Sequence, residues 1–376
     1  MYETVDPATL LVCFEDLPDP RIDRNKLHKL VDIVAIALCA VLCGADTWED
    51  IVEFGRSKES WFREFLELPN GIPSHDTFNR VFSLLDPLAF RQCFLRWVRC
   101  ALPNLPQDVI AIDGKTLRRS RGRATEDPAV HMVSAWAHGH RMVLAQVKTR
   151  EKSNEITAIP EVLRMLELAG SVITIDAMGC QTAIAQQIID QGGDYVLSLK
   201  GNQGGLHDDV ALFFQELLRQ CPDDVHPSIH ETTDGDHGRV EIRRHWSVDD
   251  IEWLRQRHPW PGLTSIGMIE SQRDIGAKVT TETRYFISSL PKDAKRFGFV
   301  ARAHWGIENT LHWVLDVAFR EDQSRIRKDH APENFATLRH LVLNLIRADK
   351  SAKGSVRVKR LRAGWDDAYR SKLLHQ

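Results

Sequence analysis

The sequence predicts an α/β fold: a mixed sheet with flanking helices, preceded by a small all-helical segment and interrupted by a β-rich insertion. Three observations predict it. Residues 25–103 carry helical periodicity and capping signals, residues 108–204 alternate short β-rich runs with helices, and residues 205–290 read as a helix followed by strands. At 376 residues the chain is long enough for about two or three domains. Its 43% hydrophobic and 27% charged residues are those of an ordinary globular protein.

The helical segment comes first, spanning 1–104. "IVAIALCAVLCGA" at 33–45 falls short of the ~20 residues a membrane span needs, and Asp32 and Asp46 bracket it, so it reads as a buried helix. "TWEDIVEFGRSKESWFREFL" opens with Thr47 and Asp50 at capping-box spacing. Ser74 caps "HDTFNRVFSLL", and Asp86 with Pro87 starts "LAFRQCFLRWVRCAL". Short helices with tight turns suit a small bundle that either binds DNA or dimerises. The prolines of "LPNLPQ" mark a linker.

From residue 108 the period changes. "DVIAIDGK", "AVHMVSAWAH" and "RMVLAQVKT" are strands, "NEITAIPEVLRMLELAG" a helix, "SVITIDAMG" a strand, "QTAIAQQIIDQGG" a helix and "DYVLSLKGN" a strand. This β-β-β-α-β-α-β order implies an antiparallel meander followed by parallel pairing, the first part of a core over 105–204. The insertion occupies 205–290. A second part of the core, 291–350, holds helices at about 293–318 and in "PENFATLRHLVLNLIRAD", and 351–376 reads as a basic tail.

Charge is uneven along the chain. Residues 1–104 hold 11 basic against 16 acidic residues, while 320–376 hold 14 against 7. A polyanion is therefore expected to meet the middle and the C-terminal part rather than the N-terminal helices. The N-terminal stretch lacks the features of a secretory signal, and the seven cysteines form no CxxC pair, which points to reduced thiols in a cytoplasmic protein.

Three carboxylates carry the candidate chemistry. Asp113 and Asp176 each end a β run, and if those strands are neighbours the two emerge at one sheet edge, where ligands of open α/β sheets sit. Glu308 lies in "ARAHWGIENTLHWVLDV", in line with His304 and His312 at the border of an apolar helix face. A carboxylate there is costly unless paired or metal-bound. Clustered carboxylates suit Mg²⁺ or Mn²⁺, and two such ions about 4 Å apart would serve an in-line phosphodiester displacement. The alternative is ordinary helix capping, for Asp176 above all.

"AIDGKTLR", "TIDAMGCQ", "DYVLSLKGNQ", "HGRVEIR" and "HWGIENTLHWVLDVAFRED" together resemble the DDE transposases of bacterial insertion sequences, in the subgroup of the H-repeat-associated proteins. "FEDLPDPR" and "IPSHDTFNRVF" extend the resemblance into the N-terminal helices. It implies an RNase H-like catalytic core interrupted by the β-rich insertion. It also implies a metal-dependent DNA transposase with two ions per site, acting at the bacterial nucleoid, and the catalytic, metal-holding triad Asp113, Asp176 and Glu308. Double-stranded DNA, as transposon ends and as target, is the implied partner, with a homodimer on paired ends and no membrane. The wider superfamily places Tyr, Arg and Lys around the glutamate, where this chain has Ala301, His304 and Leu315.

Candidate DNA contacts are Lys115, Arg118 and Arg119 after the first aspartate, Lys200 and Asn202 after "DYVLSL", Arg239 and Arg243 on an inserted strand, and His304. Each has a plain structural alternative, such as a turn lysine or a charged hairpin. Two other functions fit the same residues: a non-catalytic DNA-binding relic, and a stand-alone metal-dependent nuclease.

Overall fold

The computed structural model describes residues 7–102, 108–121, 128–149, 155–220, 225–236, 239–276 and 278–374. Six helices come first: α1 (Pro7–Glu15), α2 (Leu30–Leu42), α3 (Trp48–Ser57), α4 (Glu59–Phe62), α5 (His75–Leu84) and α6 (Pro87–Ala101). Their starts follow the sequence signals. Thr47 and Asp50 form the reciprocal capping box of α3, Ser74 accepts from the Thr77 amide, and Asp86 accepts from the Leu88 amide ahead of Pro87. Every residue of α2 from Asp32 to Leu42 is buried.

The sheet is built from β1 (Val109–Thr116), β2 (His131–Ala137), β3 (Met142–Thr149), α7 (Glu155–Arg164), β4 (Val172–Ile175), α8 (Thr182–Asp190) and β5 (Asp194–Leu199). After α9 (Gly204–Gln220) come β6 (Ser228–Asp236), β7 (Arg239–Val248), α10 (Glu252–Arg257), β8 (Ser265–Ile275) and β9 (Lys278–Ser288). The strands form one nine-stranded sheet in the order β3-β2-β1-β4-β5-β9-β8-β7-β6. Pairing is parallel for β1–β4 and β4–β5 and antiparallel for every other neighbour. The β-rich stretch expected as an insertion is thus continuous with the sheet: β9 pairs with β5 from Val196↔Ser288 to Leu199↔Tyr285, so the inserted strands inherit the direction of the core.

Helix α11 (Ala294–Gly306) runs into a π-helical turn at Ile307–His312 and then α12 (Trp313–Ala318), followed by α13 (Ala331–Ala348), α14 (Val356–Trp365) and α15 (Asp367–Leu374). Helix α13 is buried from Ala331 to Ile346 and packs against α2, α5, α6 and β3. The N-terminal helices and the sheet consequently share one hydrophobic core rather than two. No helix among the described residues is long and apolar enough to cross a membrane.

The last 26 residues, read as a basic tail, contain α14 and α15, and three of their seven basic residues are buried. Arg360, Lys359 and Arg370 are buried, and their cations are spent on backbone carbonyls. Arg360 donates to the Val41 carbonyl at 2.8 Å and to that of Ala318, at the C-terminal ends of α2 and α12. Lys359 donates to the Ile346 and Asp349 carbonyls at the end of α13. Cations at helix C-termini satisfy orphan carbonyls and oppose the helix dipole, so these charges stabilise the fold.

Asn344 shows how α13 holds the sheet edge. Its amide accepts from the Val143 N–H at 2.9 Å and donates to the Val143 carbonyl at 2.8 Å, beside a register shift in the β2–β3 ladder. Asn344→Leu would leave both buried backbone groups unpaired, at a cost of about 2–4 kcal/mol. Urea unfolding is expected to show a lowered midpoint with an unchanged slope; an unchanged midpoint would mean that Val143 finds other partners.

Candidate active site

In the parallel β1–β4 pair Ile112 stands opposite Ile175, so Asp113 and Asp176 are the next residues along on neighbouring strands. Asp176 does cap: its Oδ1 accepts from the amides of Met178 (3.0 Å) and Gly179 (3.3 Å), opening a 3₁₀ turn. The cap uses only Oδ1.

Asp113 is half-buried, near other carboxylates. Burial, together with the negative charges of Glu155, Asp176 and Glu308, pushes its carboxyl up to about 7, against the stabilising Gly114 N–H. Glu155 begins α7 and accepts from His131 at 2.7 Å, and the other ring nitrogen of His131 meets the Thr116 hydroxyl at 2.8 Å. Gly114 has no room for a side chain there. A Cβ would lie 2.3 Å from His131 Nε2 and 2.4 Å from Glu155 Oε1.

Glu308 sits in the π-helical turn, a feature the sequence did not reveal. Three local causes are visible. The Thr310 hydroxyl takes the Gly306 carbonyl, Arg347 donates to the Thr310 carbonyl while stacking over Trp136 at 4.4 Å, and Gly306 lets the helix approach His138 to where a Cβ would meet Nδ1 at 2.9 Å. Such turns are frequent at functional sites. Glu308 is exposed, and with Asp176 it lines a cavity of about 440 Å³.

The two flanking histidines face the sheet instead. His304 Nδ1 lies 3.1 Å from the Thr174 hydroxyl on β4, and burial lowers its pKa against the pull of Asp176. His312 Nδ1 lies 3.6 Å from Asp113 Oδ2, and burial with Lys115 nearby pushes its pKa down to about 3. Both imidazoles are neutral at neutral pH. His304 therefore offers no positive charge to a phosphate, contrary to the sequence expectation.

Several other expected DNA contacts are committed within the protein. Lys115 Nζ is caged by Asp316 (2.7 Å), Glu321 (3.2 Å) and Asp322 (3.3 Å), which ties β1 to the far end of the Glu308 helix. Arg243 is buried between Asp234 and Glu241, each at 2.6 Å. Asn202 donates to the Ala177 carbonyl at 2.6 Å, securing the turn after Asp176. Arg118 is exposed but meets Asp322 at 3.1 Å. Lys200 is exposed and lines the cavity, whereas Arg119 is exposed in a different groove. The Arg239 side chain lies outside the described set.

The comparisons with known proteins bear on this geometry. The Transposase DDE domain family matches residues 104–345, and the DDE_Tnp_1-associated family matches residues 11–98. The chain belongs to the DDE transposases. The "H repeat-associated putative transposase YhhI" of Escherichia coli K12 is 41% identical over 363 residues, covering 95% of each chain. An "Uncharacterized protein in dhlA 3'region" of Xanthobacter autotrophicus is 52% identical over 283 residues, 74% of this chain and 94% of that one.

DDE domains are generally divalent-metal dependent, so the donor set of this transposase can be tested for fit. Asp113, Asp176 and Glu308 offer only hard oxygens, and the Asp113 carboxyl is raised first by burial and then by the neighbouring carboxylates, Asp176 and Glu308 among them. In charge and donor type they fit a divalent ion. Among the described residues, however, no group of three His, Cys, Asp or Glu side chains is arranged to hold a metal ion. The sequence reading missed Glu155 and His131. The only signal for them was Gly114, whose need becomes visible once its neighbours are placed.

In the folded, metal-free transposase Asp113 keeps its proton up to about pH 7, whereas the unfolded chain releases it near the usual carboxylate value. The native state binds that proton more tightly. Its contribution to stability is full below about pH 4 and is lost as pH rises through 7, on the order of 4 kcal/mol. Asp113→Asn should flatten this dependence, so that in EDTA the variant melts above the parent at pH 8. Parallel melting of both proteins from pH 5 to 8 would show that the Asp113 charge is not buried. Magnesium at pH 8 should raise the melting point of the parent alone.

Proposed function

We propose that this transposase binds the inverted-repeat ends of its element and catalyses phosphodiester hydrolysis followed by DNA strand transfer at Asp113, Asp176 and Glu308. The observation that supports this reading is that Asp113 and Asp176 follow paired positions on β1 and β4, that the Glu308 charge acts on Asp113, and that Glu308 lines one cavity with Asp176. Those three side chains would hold Mg²⁺ or Mn²⁺, two ions in the family's scheme, which when bound activate a water or hydroxyl and stabilise the leaving oxygen.

The remaining residues of the site have roles of their own. His312 and the His131–Glu155 pair fix where Asp113 can lie. His304 holds the helix against β4 through Thr174, and the Lys115 cage keeps its far end on β1. Lys200 is an exposed cation lining the cavity and would meet a phosphate there. Joining two ends to a target calls for at least two active sites, hence a homodimer on paired DNA ends.

The test uses the full chain, Mg²⁺ and a duplex carrying the DNA that flanks the coding sequence. Nicked product and then joined product are expected, and each should fall at least ~100-fold in Asp113→Ala and Glu308→Gln, since even outer partners of metal ligands cost 10–100-fold. Nicking without joining assigns a nuclease. Binding without nicking assigns a DNA-binding relic.

A further inference from the structure

The catalytic cavity holds little unspent positive charge. Of its arginines, Arg243 is locked by Asp234 and Glu241, Arg284 meets Glu282 at 2.8 Å, and Arg302 meets Asp234 at 3.2 Å. Of the C-terminal cations, Arg360 and Lys359 cap helices, while Lys353, Arg357 and Lys372 are exposed. Cations are gathered most closely in a separate groove of about 680 Å³ between the start of α3 and the segment that follows α12, where Arg119, Arg320, Arg325, Arg327 and Lys328 line it.

Among the described residues Arg119, Arg320, Arg325 and Lys328 are exposed and pair with no carboxylate; Arg320 rests on the Gln323 amide oxygen at 2.7 Å. Three acidic residues also line the groove, but two are already engaged. Asp46 faces Arg360 at 3.6 Å, and the Asp50 carboxylate accepts from the Asp46 and Thr47 amides. Only Glu49 stands against five cations. The groove is also tied to the reacting centre by chain length. Arg119 is six residues beyond Asp113, at most ~20 Å away, a span of about six base pairs of duplex at 3.4 Å each.

We infer that this groove grips the sugar–phosphate backbone of duplex DNA within about six base pairs of the bond that is cut, as a sequence-independent clamp. The inference rests on the DNA-transposase reading. Guanidinium and ammonium groups without carboxylate partners provide affinity and register, while base edges are read elsewhere. Arg119 belongs to this clamp, not to the carboxylate site.

Fluorescence anisotropy with three duplexes of unrelated sequence, titrated with salt, tests it. The Arg325→Gln/Lys328→Gln double variant should lose about tenfold in affinity on all three, and its log K against log[salt] slope should fall by about 1.8, two phosphate contacts' worth. Its melting point should match the parent's. Unchanged affinity and slope overturn the clamp, as does a loss confined to one sequence. An equal loss in an Arg164→Gln/Lys278→Gln control, two exposed cations outside the groove, reduces the effect to net charge and overturns it too. Loss of poly-glutamate binding with DNA binding intact would assign the groove to an acidic protein. If the parent itself binds no duplex, the transposase reading fails, not the groove assignment alone.

Discussion

The parallel pairing of β1 with β4 is the constraint on which the site depends. Register sets Ile112 beside Ile175, and the next residue on each strand is an aspartate. Two carboxylates placed there by main-chain hydrogen bonds cannot drift apart to relieve their repulsion. Burial and the neighbouring carboxylates together push the Asp113 carboxyl up to about 7. Sheet pairing, strong and cooperative, thereby maintains a local electrostatic conflict that only a proton or a cation resolves.

Around that conflict the fold spends its other charges on geometry. Lys115, two residues past Asp113, is enclosed by Asp316, Glu321 and Asp322, and so links the strand bearing one carboxylate to the helix bearing another. Arg347 and Arg360 are directed at main-chain carbonyls, and burial pushes their pKa values down to about 9 and about 10. Buried cations on carbonyls fix positions at a desolvation cost, which suits a site whose three acidic residues come from distant parts of the chain.

Much of this was legible beforehand, and the remainder was not, for identifiable reasons. Strand order and helix caps follow from local chemistry, so Thr47, Ser74 and Asp86 stand where their side chains predict. The continuity of β5 with β9 was not legible, because a β-rich stretch after a helix reads the same whether it forms a separate sheet or extends an existing one. The C-terminal residues misled for a related reason. Composition counts charges, but only contacts show that Arg360 and Arg370 are buried. Among the candidate DNA contacts, Lys115 and Arg243 are engaged by carboxylates far away in sequence or across a strand, which their local sequence does not show.

The π-helical turn is the deepest of these gaps, and it answers what His304, Glu308 and His312 do on one helix. A regular α-helix at four-residue spacing keeps all three on one side, so burying the imidazoles would bury the carboxylate between them. Widening the turn from Ile307 to His312 breaks that equivalence. His304 reaches Thr174, His312 reaches Asp113, and Glu308 is left exposed at the cavity. The widening depends on Thr310, Gly306 and Arg347, and Arg347 comes from α13, the helix at the centre of the core. The exposure of Glu308 is therefore set by packing well away from the sheet edge. A sequence pattern confined to one helix cannot show that.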